Sequence, residues 1–416
     1  MALIYNATFD SQTRILSLLD KAGNVISSCE VPSKGDPLTL TATANNSSVM
    51  LKKNGTLSNT YEVNKGSGWQ SYTFGTVINL NTGQSCKWRC SAHPTTQSNL
   101  NYVQFNMRGK IEASGNVNSM LSSDFDNLTS LSGYDYAFYK LFSGCASLTN
   151  APELPATSLA PLCYMDMFEY CTSLTNAPEL PSINLATECY RVMFYGCTSL
   201  TNAPSLPATN LAGWCYAGMF GECTSLTNAP SLPATSLAGS CYTEMFWNCT
   251  SLTNAPSLPA TSLVDRCYDG MFKNCTSLTN APSLPATSLA GWCYSEMFYG
   301  CTSLTNAPSL PATNLAGWCY ADMFRDCTSL TKAPSLPATS LAEWCYSEMF
   351  KGCSALTEVR IAATTTASDA LRRWLSVVSA SGTVYADPNF TGLPTNSVSG
   401  IPSGWTRLNI ADYPQT

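Results

Sequence analysis

The sequence predicts an α/β repeat protein, a solenoid of about eight 26-residue units preceded by a β-sandwich-like N-terminal domain. Two observations carry this prediction. A cysteine recurs every 26 residues from Cys145 to Cys353, which spans eight periods. Before the repeats, apolar and polar residues alternate at the spacing of half-buried strands. A unit of this size cannot bury its own apolar face, so neighbouring units must stack.

The first half of each unit predicts a short strand. The unit reads C-T-S-L-T-N-A-P-S-L-P-A-T-S-L-A-x-x-C-Y-x-x-M-F-x-x, and its strand-like part runs from Leu200 to Leu206 in one copy. Stacked copies would form a parallel ladder at roughly 4.8 Å per strand. Pro204 and Pro207 have no N–H to donate, so regular pairing should cover only the few residues before them.

The second half of each unit predicts a short amphipathic helix. Between Leu211 and Gly221, apolar pairs recur every four residues, namely Leu211-Ala212, Cys215-Tyr216 and Met219-Phe220. Such spacing places one buried stripe along a helix. We therefore expect each unit to run strand, turn, helix, turn.

The cysteines follow the repeat. A second ladder runs from Cys163 to Cys345, so that 17 of the 20 cysteines belong to the repeats. Equivalent residues in stacked units lie roughly 4.8 Å apart, which permits a disulfide, but nine cysteines in one ladder cannot all pair. Free cysteine packs as a small buried hydrophobe. We expect reduced ladders in the core.

The chain divides into four predicted regions. These are attachment or oligomerisation strands at 1–35, a β-rich domain at 36–130, the repeats at 131–353 and a C-terminal cap at 354–416. The first region reads as a strand around Ile15, a turn from Asp20 to Asn24, and a second strand at Val25-Ile26. It fits an attachment segment or the first hairpin of one sandwich equally well.

The β-rich domain shows strand and turn patterns. Val103, Phe105 and Met107 alternate with polar residues, which marks a half-buried strand. Asn54-Gly55 predicts a hairpin turn, and Asn81-Thr82-Gly83 and Gly66-Ser67-Gly68 predict further turns.

Composition limits the partners. The net charge is -6 and charged residues make up 12% of the chain, about half the usual share. This argues against nucleic acid or an anionic membrane as a partner. No stretch approaches the roughly 18 apolar residues of a membrane span, and the start at Met1 lacks the pattern of a secretory signal. If Met1 is the native start, we expect assembly in the cytoplasm.

The sequence offers little catalytic chemistry. His93 is the only histidine, and no phosphate-binding loop, dinucleotide fingerprint or zinc-protease motif is present. Cys86, Cys90 and His93 resemble part of a metal site, but a fourth ligand at suitable spacing is missing. A glycan-degrading enzyme would need paired acids on a fixed frame, and the repeats offer scattered ones such as Glu222, Glu244 and Asp322. We expect no catalytic residue, no metal and no cofactor.

The repeat resembles a known family. The pattern M-F-x-x-C-x-S-L-T-x-A-P-x-L-P-x-x-x-L resembles the BspA-type leucine-rich repeats of bacterial surface proteins, and the matching residues of one copy are Met193-Phe194, Cys197, Leu200, Leu206, Pro207 and Leu211. It departs from the commonest version, with Met before Phe and Ala-Pro in the strand. The resemblance implies a leucine-rich-repeat solenoid in an adhesin or binding protein. The flanks, at 36–115 and from Val359 to Trp405, look like those of relatives that include phage virion proteins.

The copies differ mainly at six positions that alternate with the apolar pairs. In the first unit these are 161, 162, 165, 166, 169 and 170, whereas Thr201 and Asn202 barely change between copies. Exposed Trp, Tyr and Arg are common binding hot spots. The predicted ligand-binding residues at these positions are Arg191, Tyr195, Trp214, Trp247, Arg266, Trp292, Tyr299, Trp318, Arg325 and Trp344. Drift on a tolerant surface, or packing of each Trp on the next unit, would explain the same pattern.

We therefore expect a non-catalytic binding or adhesion protein. The first hypothesis is a phage virion appendage, a tail fibre or receptor-recognition protein assembled in the host cytoplasm. Its N-terminal region would contact other virion proteins, and its repeats would contact a cell-surface protein or glycan. The alternative is a secreted bacterial surface adhesin that binds host matrix or other cells. A homo-oligomer is compatible with either.

Overall fold

The computed structural model describes residues 6–10, 15–30, 35–91, 97–397 and 399–413. Its first eleven strands precede the repeats: β1 Asn6–Asp10, β2 Ile15–Leu19, β3 Val25–Glu30, β4 Thr39–Ala42, β5 Ser47–Asn54, β6 Tyr61–Asn64, β7 Trp69–Ser71, β8 Ile78–Leu80, β9 Ser85–Cys90, β10 Tyr102–Arg108 and β11 Ile111–Ser114. Six more follow: β12 Leu148–Asn150, β13 Ser340–Leu341, β14 Glu358–Arg360, β15 Thr365–Thr366, β16 Gly382–Ala386 and β17 Trp405–Asn409. Three 3-10 helices span Val117–Met120, Phe125–Asn127 and Ile410–Asp412.

The first three strands form an antiparallel sheet in the order β1-β2-β3. The predicted turn between β2 and β3 is confirmed: the Asp20 carboxylate accepts the backbone N–H groups of Ala22 and Asn24. The attachment role of this segment stays a prediction.

Strands β4 to β11 form two sheets with a shared core. One has the order β10-β5-β8, and the other β12-β11-β4-β9-β6-β7. Trp88 of β9 meets Phe105 of β10 edge to face at 5.1 Å between the ring centres. The predicted strand at Val103 to Met107 is confirmed, with its apolar side chains buried. The predicted hairpin at Asn54-Gly55 is wrong, because this turn joins β5 to β6, which lie in different sheets.

The predicted helix of each repeat is also wrong, and with it the α/β class, since no α-helix occurs among the described residues. The stretch is a series of four-residue turns. In one copy Ala217 N–H donates to the Trp214 carbonyl three residues back, whereas Tyr216 N–H donates to the Cys241 carbonyl of the next repeat. Such alternation continues along the stretch and between successive repeats. A helix would instead bond each N–H four residues back within its own segment.

Each series of turns requires a left-handed backbone at three positions, 17, 21 and 25 residues after the first cysteine of the repeat. Trp214, Gly218 and Glu222 hold them in one copy, with φ of 58°, 61° and 59°. A side chain other than glycine in this region costs of order 1–3 kcal/mol, so surrounding contacts must maintain it. The hydrogen bonds between repeats and the buried columns supply those contacts.

The apolar pairs form columns that run along the repeats. Stacked phenylalanines start at Phe105 of the N-terminal sheets, pass through Phe142 and its equivalents to Phe350, and end on Trp374. A second column runs from Phe138 through one tyrosine per repeat to Tyr346. Neighbouring rings within the repeats lie 5.4–5.9 Å apart, nearly parallel in most pairs. These stacks account for the strict repetition of aromatic residues.

The two cysteine ladders lie beside these columns. All 17 repeat cysteines are buried, and in the structure they are free thiols, as expected. In the first ladder each thiol donates to a phenylalanine carbonyl of the preceding repeat; Cys249 Sγ lies 3.1 Å from the Phe220 oxygen. Burial raises the pKa of these thiols, to about 12 for Cys197. Cysteine therefore serves here as a small side chain with one weak donor.

The strand half of the repeat is shorter than a regular strand. Single parallel bridges join Asn176 to Asn202 and continue at the equivalent asparagines to Asn306. The prolines end the pairing as predicted, because they carry no N–H. The result is an exposed ladder of near-identical Thr-Asn pairs.

Strands flank the repeats at both ends. On one side β11 pairs in parallel with β12 of the first repeat. On the other, β14, β16 and β17 form a parallel sheet, and Trp374 Nε1 donates to the Gly400 carbonyl at 2.8 Å. A single apolar core extends from Leu38 to Trp405. No helix in the described ranges is long and apolar enough to cross a bilayer.

Candidate ligand-binding ribbon

The variable positions lie together on the outside of the turns. We call them the outer ribbon: the residues 16, 17, 20, 21, 24 and 25 positions after the first cysteine of each repeat. The buried pairs alternate with them along the chain, so that the ribbon carries the partly exposed side chains of each turn. Of the ten predicted binding residues, Trp214 and Arg266 are exposed and the other eight are half-buried. None lies in the core.

Three of the predicted tryptophans form one stack. Trp292 and Trp318 lie 4.4 Å apart between ring centres, and Trp318 and Trp344 lie 4.6 Å apart, with nearly parallel planes. Arg266 covers the outer face of Trp292 at 4.4 Å, and Arg372 covers the other end at 5.1 Å from the Trp344 ring. Stacked indoles and cation–π contacts are each favourable by about 1 kcal/mol. The stack exposes indole edges and leaves none of its faces open.

Glycines in the ribbon make room for bulky neighbours. Tyr195 stacks on Trp247 two repeats away, at 5.9 Å, across Gly221 of the intervening repeat. A Cβ on Gly221 would lie 2.7 Å from the Tyr195 ring, and one on Gly196 would lie 2.4 Å from the ring of Tyr170. Variation at one repeat is thus matched by variation at the next, which supports packing as one cause of the variability.

Ion pairs connect the charged residues of the ribbon. Arg325 contacts Asp322 and Glu348, both at 3.0 Å, and Glu348 also contacts Lys351 and Arg373. Arg191 pairs with its own repeat's Glu188 at 2.7 Å, and Arg266 with Asp269 at 3.1 Å. Lys273 pairs with Glu296. Contacts within the protein therefore hold each of these cations.

Burial raises the pKa of two ribbon carboxyls, Asp166 and Asp269, each to about 6. Neighbouring Glu169 raises the first further, and Glu296 the second, whereas Lys140 and Arg266 oppose these effects. Both carboxyls contact a basic group, Lys140 at 3.6 Å and Arg266 at 3.1 Å. Their pKa shifts have a structural cause in burial and pairing, without a substrate.

Sequence reasoning missed Arg372, which completes the tryptophan stack. The signal was present: Ala370-Leu371 and Trp374-Leu375 continue the four-residue pairs beyond the last full repeat. Arg372 and Arg373 lie between these pairs, at ribbon positions. The one-residue change in spacing at the cap hid this equivalence.

The structure places two of the three residues of the suspected metal motif. Cys86 and Cys90 both point into the core from β9, on either side of Trp88, and His93 lies outside the described residues. Within the described part of the chain, no group of three His, Cys, Asp or Glu side chains is placed to hold a metal ion.

Comparison with known proteins finds one family. The model of the BspA type leucine rich repeat region matches in six copies, over residues 138–279, 215–331 and 293–371. Together these matches cover more than half of the chain. No curated protein and no solved structure matches at a significant level.

Proposed function

We propose that this chain, which belongs to the BspA-type leucine-rich repeat family, is a non-catalytic binding or adhesion protein that contacts its target through the outer ribbon. The observation that carries the proposal is the concentration of partly exposed aromatic and arginine side chains on this one surface of the repeats. Buried columns and the Thr-Asn ladder stay nearly constant over an eight-unit solenoid. Residues of these types dominate binding energy in protein interfaces.

In its specific form the proposal is a phage virion appendage whose repeats recognise a cell surface. The buried free thiols support assembly in a reducing compartment, because exported proteins with many cysteines are commonly disulfide-bonded. Strands β1 to β3 would attach the protein to the particle. The second candidate is a secreted bacterial adhesin, and the repeat family favours it equally.

Catalysis has little support on this surface. Asp322 is ion-paired to Arg325, and Glu222 interacts with the Tyr195 hydroxyl. Glu244 is exposed. The three acids considered for glycan hydrolysis therefore lack the paired arrangement that this reaction requires.

The test replaces Trp292, Trp318 and Trp344 together by Ser. Ser240 occupies the equivalent position with the same backbone conformation, φ 56°, so the replacement suits the fold. Binding of labelled protein to a panel of bacterial cells and to matrix-coated plates is then measured. We expect the variant to stay folded and to lose at least tenfold in binding.

A matched control changes Thr279, Thr305 and Thr331 to Ser, which alters the ladder of the same three repeats. This control should bind like the unchanged protein. Undiminished binding by the tryptophan variant would refute the ribbon as the contact surface. Binding to bacteria favours the virion role, and binding to matrix favours the adhesin.

A further inference from the structure

One tryptophan of the outer ribbon has an uncovered face. Trp214, Trp292, Trp318 and Trp344 occupy the same repeat position, 17 residues after the first cysteine. Together they have eight indole faces. Neighbouring indoles and Arg266 and Arg372 cover all six faces of the last three, and Arg191 covers one face of Trp214 at 5.3 Å. No ring or cation contacts the remaining face of Trp214 in the described part of the protein.

The exposure of these residues agrees with that account. Trp214 is 39% exposed, and it is the one tryptophan among the exposed large apolar residues in the described ranges. Arg191 belongs to the preceding repeat, so the uncovered face is the one directed toward the following repeat. There the equivalent position holds Ser240, which is 4% exposed and too short to cover an indole.

The space above Ser240 has the width of one planar group. Its two walls, Trp214 and Arg266, occupy equivalent positions two repeats apart. Further along the ribbon, Trp292 and Trp344 are also two repeats apart, and the Trp318 ring fits between them at 4.4 and 4.6 Å. Small residues, Gly213 and Gly239, adjoin the space at the preceding ribbon position.

The charge around this space is acidic. Arg191 and Arg266 are neutralised by Glu188 and Asp269. Glu244 and Asp265, in the adjoining turns, are exposed and form no ion pair with a described residue. A planar cation therefore gains more here than a neutral ring does.

We propose that the open face of Trp214 receives the guanidinium group of an arginine from a protein partner. Stacked on the indole, the guanidinium would complete the same Arg–Trp contact that this chain makes at three other indole faces. Arginine is planar and weakly hydrated, so it stacks better than lysine does. This inference rests on the proposed binding function of the ribbon and assigns the partner's chemistry at one point of it.

The experiment uses the full chain labelled with 5-fluorotryptophan and observed by fluorine NMR. The Trp214 signal is identified as the one that disappears in Trp214→Ser. The probe is the tripeptide amide Gly-Arg-Gly, compared with Gly-citrulline-Gly, which has the same shape without the charge, and with a cello-oligosaccharide. We expect the arginine peptide to shift the Trp214 signal saturably and about tenfold more tightly than the citrulline peptide, as a cation–π contact implies.

Two variants complete the design. Ser240→Trp places an indole in the space and should abolish the arginine-dependent shift, and the chain itself accepts tryptophan at this position in four repeats. Trp318→Ser changes a covered indole and should leave the shift intact. Equal binding of citrulline, or an oligosaccharide shift without an arginine shift, would overturn the proposal. Because no cell target is used, this failure is separable from failure of the ribbon as a binding surface.

Discussion

The inner columns and the outer ribbon are built by the same 26-residue stacking but follow different rules. Inside, identical rings repeat at 5.4–5.9 Å, and the side chains in both columns are almost fully buried. Outside, spacing depends on the residues: the tryptophans approach to 4.4 Å, whereas Tyr195 reaches across a glycine to Trp247. Inner side chains contact two copies of themselves, so a change at one must suit both.

The difference shows where variation is permitted. In the core, a single substitution leaves a cavity or a clash on both sides. On the ribbon, a large side chain can be matched by a glycine in the next repeat, as Tyr170 is by Gly196. Variable positions thus reflect both packing and exposure, and only a face such as that of Trp214 remains for a partner.

The largest expected effect is alkaline unfolding of the core. Burial raises the pKa of the ladder thiols from an ordinary value of 9.0 to about 12 at Cys241 and Cys301. Above pH 9 the unfolded chain loses thiol protons that the folded chain keeps, so stability is full below pH 9 and falls as pH rises. Each thiol removes about 1.4 kcal/mol per pH unit. The urea midpoint should hold from pH 7 to 8.5 and collapse within about one unit above pH 9.

A urea midpoint unchanged at pH 10.5 would contradict protonated thiol ladders. A thiol titration gives a second check, since the folded protein should react slowly at pH 8. After denaturation most of the 20 cysteines should react. If most were blocked, the reduced ladders would be wrong.

A pair of ring deletions compares the two surfaces directly. Phe246 is fully buried and stacks on both neighbours at 5.6–5.7 Å, so Phe246→Ala should cost roughly 3–5 kcal/mol of unfolding free energy. Trp318→Ser removes two closer stacks from a half-exposed position and should cost roughly 1–2 kcal/mol. Urea unfolding measures both. Equal losses would mean that the ribbon is part of the core.

The smallest expected effect concerns the glycines of the ribbon. Gly221→Ala places a methyl group against Tyr195 and should separate it from Trp247, at a cost of roughly 1 kcal/mol. Gly213→Ala is the matched control, because the nearest atom to its new Cβ is 3.7 Å away, and it should change stability by less than about 0.5 kcal/mol. Thermal unfolding compares them. Identical midpoints would show that ribbon residues vary independently.

The amino-acid sequence by itself determined the 26-residue period, the buried pairs, the proline-limited ladder and the surface on which the copies differ. Local chemistry decides these features: apolar side chains avoid water, and proline cannot donate. It did not determine the backbone of Leu211 to Gly221, because four-residue pairs suit both a helix of 3.6 residues per turn and a series of four-residue turns. Hydrogen bonds between repeats, such as that from Tyr216 to Cys241, select the turns and maintain their left-handed residues. Those bonds exist only after stacking, so the tertiary structure alone decided which indole faces are covered and left one face of Trp214 open.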